Sequence, residues 1–112
     1  MSRSNARSNV ARAAPLFAAL GDETRLRLLG RLGSSGPQSI TSLTTGTDVT
    51  RQAITKHLRV LASAGLVRDL RAGRERIWEL EAKALDDARR YLDDISKQWD
   101  EALERLRKYV EE

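Results

Sequence analysis

Residues 39–80 read SITSLTTGTDVTRQAITKHLRVLASAGLVRDLRAGRERIWEL. Ser39 can cap a short helix running through Ile40 and Leu43 to Thr45, because a serine oxygen accepts an otherwise unpaired N–H of the first turn. Gly46 and Asp48 make a turn, and Thr50 caps a second helix, Arg51–Ala64. Gly65 then stands where a left-handed residue closes a helix. Leu66–Leu70 and Arg76–Leu80 read as two strands around a tip of Arg71, Ala72, Gly73, Arg74 and Glu75, where Gly73 permits positive φ. Trp78 and Leu80 are two apart, so both point to one face of their strand, toward the core. Helix, tight turn, helix and basic hairpin, in that order, predict a winged helix-turn-helix. In that shape the second helix fits a DNA major groove.

The second helix carries two different faces. At about 100° per residue, Ile54, Leu58 and Leu61 share one side, while Arg51, Gln52, Thr55, Lys56 and Arg59 span an arc of roughly 140° on the other. A helix exposed only to water needs nothing more than polarity there. This one offers amide, hydroxyl and cationic groups and no acid, the set that pairs with guanine edges, adenine edges and phosphates. His57 falls between the two faces, at a position suited to packing or to a phosphate contact. Arg71, Arg74 and Arg76 cluster at or beside the hairpin tip, where they can follow phosphates next to the groove. The competing reading of the same tip is a charged loop kept soluble.

Upstream, a helix is expected from Pro15 to Leu20, since proline suits a first turn, with Gly21 ending it. Asp22 is an N-cap for a helix Glu23–Leu32, with Leu26, Leu29 and Leu32 along its packing face and Leu28 at the edge. Gly33 to Pro37 form a loop. Residues 1–13 lack apolar periodicity and read as a flexible basic arm, residues 14–81 as the winged domain, and residues 82–112 as a terminal helix of the same domain.

That last helix carries Leu85, Ala88, Leu92, Ile95, Trp99, Ala102, Leu106 and Tyr109 at alternating spacings of three and four. This is an a/d stripe over nearly four heptads. A stripe so long at the end of a small domain finds little surface of its own chain to cover it. Pairing with the same helix of a second copy is the economical solution.

Composition restricts the chemistry. With 112 residues the chain holds one domain, and it contains no cysteine and a single histidine. Disulfides, thiolate metal sites and cysteine nucleophiles are excluded, most catalytic triads fail, and no glycine-rich phosphate loop is present. Asp86/Asp87 and Asp93/Asp94 belong to a solvated helix face. No catalytic residue, metal site or cofactor is expected, and no enzyme activity. There is no apolar run of signal-peptide or membrane-spanning length, which predicts a cytoplasmic protein with no membrane partner. The net charge of +4 is unevenly spread. Residues 1–80 hold 13 Lys and Arg against 6 Asp and Glu, while residues 81–112 hold 7 against 10. A basic front with an acidic rear suits a protein that meets a polyanion on one side.

Three runs, LFAALGDETRLRLLGRL, VTRQAITKHLRVLASAGLV and RAGRERIWEL, together resemble the ArsR (arsenic-repressor-like) family of bacterial transcriptional regulators. The likeness covers about Ala14 to Leu80, and more loosely the last helix. It implies a mainly α fold with a small β-hairpin, dimeric through the first and last helices, that represses by binding an operator and is released by an effector. By position the recognition helix is Thr50–Ala64, with Thr50, Arg51, Gln52, Thr55, Lys56 and Arg59 facing DNA, and the wing is Arg68–Arg76. Metal-sensing members carry a cysteine pair before the turn, or histidine and acidic ligands on the last helix. Here the first region reads SITSLTT and the last helix has no histidine, so the resemblance is to members without a metal site, and the effector is left unassigned.

The expected function is therefore sequence-specific binding of double-stranded DNA by a homodimeric regulator reading an inverted repeat. The alternative of a different class is a protein-interaction module that pairs its terminal helix with an unlike chain. Structured RNA is a third partner, but no aromatic stacking surface favours it.

Overall fold

A computed structural model describes residues 3–111; Met1, Ser2 and Glu112, and the side chains of residues 3–8, lie outside what it describes. Five helices and three strands follow in the order α1 (Arg3–Leu20), α2 (Glu23–Ser35), β1 (Gln38–Ser39), α3 (Ile40–Thr44), α4 (Arg51–Ser63), β2 (Val67–Ala72), β3 (Glu75–Leu80) and α5 (Ala82–Glu111). This is the winged helix-turn-helix: α3 and α4 form the two-helix unit, and β2–β3 the wing.

The three expected N-caps all form. Asp22 Oδ2 accepts the Arg25 N–H at 3.0 Å, Ser39 Oγ that of Ser42 at 3.1 Å, and Thr50 Oγ1 that of Ala53 at 3.1 Å. Gly65 takes φ +79°, and the chain turns there into β2. β2 and β3 pair antiparallel from Val67↔Leu80 to Ala72↔Glu75. The strands therefore run further than the sequence suggests, and the tip is only Gly73–Arg74. Gly73 at φ +64° supplies the positive first position of a two-residue hairpin turn.

Other expectations are corrected. Residues 3–13 are helical, continuous with the Pro15–Leu20 segment, where an arm is expected. Pro15 removes one helical hydrogen bond, but Ala11, Ala13 and Ala14 favour helix, and Ala13, Leu16 and Ala19 are buried, which offsets the cost. α2 continues through Gly33, Ser34 and Ser35 to a stop at Gly36 (φ +77°), whose N–H returns to the Leu32 carbonyl. Its buried face is Leu28, Leu29 and Leu32, while Leu26 is 53% exposed. Leu26 lies about 120° from Leu32 around the axis, outside the arc that α1, α4 and β3 cover. The short β1 is also absent from the sequence reading. Two residues carry no periodicity, yet Gln38 and Ser39 pair with Trp78 and Ile77 and make the sheet three-stranded, in the order β1-β3-β2.

One core joins these elements. Leu43, Ile54, Leu58, Leu61 and Leu66 are essentially inaccessible, with Leu16, Leu28, Leu32, Val67 and Trp78 around them. Ala88 ties the start of α5 to that core, and Phe17 of α1 meets Tyr91 of α5 at 5.7 Å between ring centroids.

Candidate nucleic-acid interface

With Ile54, Leu58 and Leu61 buried, α4 is fixed in rotation, and its opposite side is turned outward. Arg51, Gln52, Lys56 and Arg59 are exposed and Thr55 half-exposed; together with Ala53 they line one shallow open groove. Thr50 is exposed at the head of the helix. The fold thus brings together all six helix residues singled out from the sequence. No carboxylate occurs anywhere in α4, so three cations share the helix without internal compensation. Arg51 is held from below: its Nη1 donates to Thr41 Oγ1 of α3 at 3.3 Å.

The position of α3 beneath α4 depends on Arg31 of α2, a residue outside the packing face read from the sequence. Arg31 donates from Nη1 to the Leu43 carbonyl at 2.6 Å and from Nη2 to the Ser42 carbonyl at 2.8 Å. Both carbonyls belong to the last turn of α3, where helical partners run out; that of Ser42 also accepts the Thr45 N–H at 3.3 Å. Gln38 completes the clamp, donating to the Arg31 carbonyl at 3.1 Å and accepting from Ser42 Oγ at 3.0 Å.

A second anchor joins α1, α2 and α4. Arg25 Nε donates to the Ala19 carbonyl at 2.6 Å, and its Nη1 lies 3.4 Å from His57 Nδ1. Asp22 stands 3.8 Å from the same imidazole nitrogen. The Arg25 backbone N–H, helped by the charges of His57 and Arg25, holds the Asp22 carboxyl below the ordinary aspartate range despite the opposing effect of desolvation. His57, midway along α4, thus faces Arg25 and Asp22 of the neighbouring elements. No local pattern marks either anchor, because the partners lie 6 to 32 residues apart.

In the wing, the three arginines differ. Arg71 and Arg76 are directly cross-strand, and Arg74 sits at the tip. Like charges opposite one another destabilise a hairpin. Arg76 is partly compensated by Asp69, Nε to Oδ2 3.1 Å. Arg68 is engaged by Glu79 at 2.6 Å and Glu81 at 3.6 Å, an arrangement that raises its pKa further and takes it out of the set of available cations. Among the described residues, neither Arg71 nor Arg74 forms a salt bridge.

Along α5 an apolar stripe is left open among charged residues. Leu85 and Ile95 are half-buried, but Leu92, Leu106 and Val110 are exposed, and Trp99 and Tyr109 are 67% and 78% exposed. Leu103 is exposed beside them, and with Val110 it widens the stripe beyond the a and d positions over the last two turns of the repeat. The described residues contain no cluster of His, Cys, Asp or Glu able to hold a metal ion, and none of their helices is long and apolar enough to cross a membrane.

A core-packed helix-turn-helix with a basic outward helix and a wing defines a helix-turn-helix transcriptional regulator. Comparison with known proteins agrees. A family model described as a helix-turn-helix domain matches residues 20–69. A helix-turn-helix-type transcriptional regulator of Mycobacterium tuberculosis is 36% identical over 85 residues, covering 76% of each chain. Among solved structures, an ArsR-like transcriptional regulator from Rhodococcus superimposes with a TM-score of 0.76 at 39% identity, over 90% of this chain and 94% of that one. A homodimeric winged helix-turn-helix DNA-binding domain from Mycobacterium bovis gives 0.66 at 26% identity, over 94% and 93%. The chain belongs to the ArsR family of winged helix-turn-helix transcriptional regulators.

Proposed function

We propose that this regulator acts as a homodimer that binds an inverted-repeat operator and represses the gene behind it. The observation that carries this reading is the acid-free face of Arg51, Gln52, Thr55, Lys56 and Arg59, fixed outward by the buried side of the same helix. Thr50 at the helix head offers its backbone and hydroxyl to a phosphate. Gln52 is the residue for an adenine edge; Arg51, Lys56 and Arg59 suit guanine edges or phosphates. Arg71, Arg74 and Arg76 follow the backbone beside the groove.

Dimerisation through α5 is supported by the exposed stripe of Leu92, Trp99, Leu106 and Tyr109, continued toward the core by Leu85 and Ile95. Its Mycobacterium bovis relative is homodimeric. Two recognition helices about 34 Å apart then meet successive major grooves on one side of the duplex. Repression is the usual mode that the family resemblance implies, and a dimer seated in two grooves obstructs the promoter it covers.

Two substitutions separate the roles. Gln52→Ala is expected to cost about 1–3 kcal/mol on the preferred duplex and to relax preference at one base position. Binding titrations on single-base variants measure this, and an equal loss on every sequence contradicts base reading by Gln52. Arg74→Ala is expected to weaken all duplexes alike and to lower the slope of log affinity against log salt by about one. An unchanged slope removes Arg74 from the phosphate contacts.

A further inference from the structure

The hydroxyl groups of the helix-turn-helix unit are largely engaged within the protein. Thr44, Thr45 and Thr47 each donate to a backbone carbonyl of their own segment. Thr55 does the same on the recognition helix: its Oγ1 donates to the Arg51 carbonyl at 2.8 Å. Thr55 differs from the others in lining the groove of α4 beside Arg51, Gln52 and Arg59.

A helical threonine is restricted to the χ1 wells that keep Oγ1 against the preceding turn. The hydroxyl proton is then committed to the helix, and the second γ substituent, a methyl, is what the side chain has left for a partner. Around this methyl the helix places hydrogen-bond donors. Arg51 and Gln52 stand one turn before Thr55 and Arg59 one turn after it, all exposed. A methyl flanked by donors is complementary to one base. In the major groove, thymine presents a 5-methyl group beside the O4 acceptor, and no other base carries a methyl there.

We propose that Thr55 is a specificity-determining residue that recognises the 5-methyl group of thymine through its own γ-methyl, and not through its hydroxyl. This rests on the DNA-binding reading above. The alternative is that Oγ1, still an acceptor, accepts a hydrogen bond from the adenine N6 or cytosine N4 amino group.

The test uses the full-length protein and the duplex recovered with it from a random pool, with each thymine replaced in turn by deoxyuridine, which lacks only the methyl. At one position per half-site the replacement is expected to weaken binding by about fourfold, the value of one buried methyl. Thr55→Ser, which keeps the hydroxyl, is expected to lose that thymine-over-uracil preference, and Thr55→Val, which keeps a methyl, to retain it. Indifference of the wild type to uracil at every position overturns the proposal, as does a preference that survives Thr55→Ser or disappears in Thr55→Val. Failure to recover any duplex overturns the DNA-binding reading and this inference together. A recovered duplex that tolerates uracil throughout overturns the Thr55 assignment alone.

Discussion

Trp99→Asp is expected to convert the protein from a dimer of about twice 12.5 kDa to a monomer, and to weaken binding to a two-half-site duplex by about 10²–10⁴-fold. α5 has 30 residues, about 45 Å of helix, and its second half leaves the body of the domain with every described side chain from Ser96 onward exposed. Trp99 sits in the middle of the apolar stripe. Covering its exposed surface is worth on the order of 4 kcal/mol per subunit. An aspartate there forfeits that gain and places two like charges in one seam, uncompensated. The core of Leu43, Leu58 and Leu61 is remote from the change in the packing scheme, so the DNA-binding unit stays folded. The loss of affinity then follows from geometry. With both heads on one duplex the second contact is intramolecular, and a monomer forgoes that advantage. Sedimentation at micromolar concentration, beside titrations on one and two half-sites, reads both effects. A variant that still sediments as a dimer contradicts the assignment of Trp99 to the interface.

Arg31→Ala is expected to destabilise the fold by about 2 kcal/mol and to lower Tm by about 10 °C. The guanidinium bridges α2 to carbonyls in the last turn of α3 with two short bonds; the Ser42 carbonyl also accepts the Thr45 N–H at 3.3 Å, while the Leu43 carbonyl, at the helix end, relies on Arg31. Removing the fork loosens α3, and with it the Thr41 hydroxyl that holds Arg51. DNA affinity should therefore fall even at temperatures where the variant is folded. Arg31→Lys is expected to rescue little, because one ammonium cannot reproduce a planar fork reaching two carbonyls. Thermal unfolding followed by circular dichroism checks the prediction; a Tm unchanged within a degree assigns Arg31 to the solvated surface instead.

The two arginine anchors mark the boundary of what the sequence makes legible. Capping chemistry is local, so Asp22, Ser39 and Thr50 announce three helix starts within a few residues, and all three caps form. Periodicity likewise places Ile54, Leu58 and Leu61 inside and the basic residues of α4 outside. What escapes is tertiary. Arg31 meets Leu43 twelve residues on, and Arg25 meets His57 thirty-two residues on; neither pairing leaves a trace in spacing or composition. β1 is too short to have a period at all. The burial of Leu28 in place of Leu26 depends on where α1, α4 and β3 approach α2, not on α2 itself.

The basic tip shows a similar limit. Composition singles out Arg71, Arg74 and Arg76 equally. Pairing in the hairpin distinguishes them, because Asp69 lies next to Arg76 while Arg74 occupies the turn. The salt slope is accordingly expected to respond more to Arg74 than to Arg76. On α5 the heptad spacing names Trp99, Leu106 and Tyr109 but passes over Leu103 and Val110, whose exposure extends the stripe toward the breadth of a bundle-forming face.

Selection of bound sequences from a random duplex pool by the purified protein tests the central claim most directly. The account predicts enrichment of an inverted repeat whose half-site centres lie one helical turn apart, about 34 Å, with loss of that enrichment when Arg51, Gln52, Lys56 and Arg59 are replaced by alanine. A pool that remains unenriched at low salt, or an enriched motif unaffected by those replacements, contradicts it.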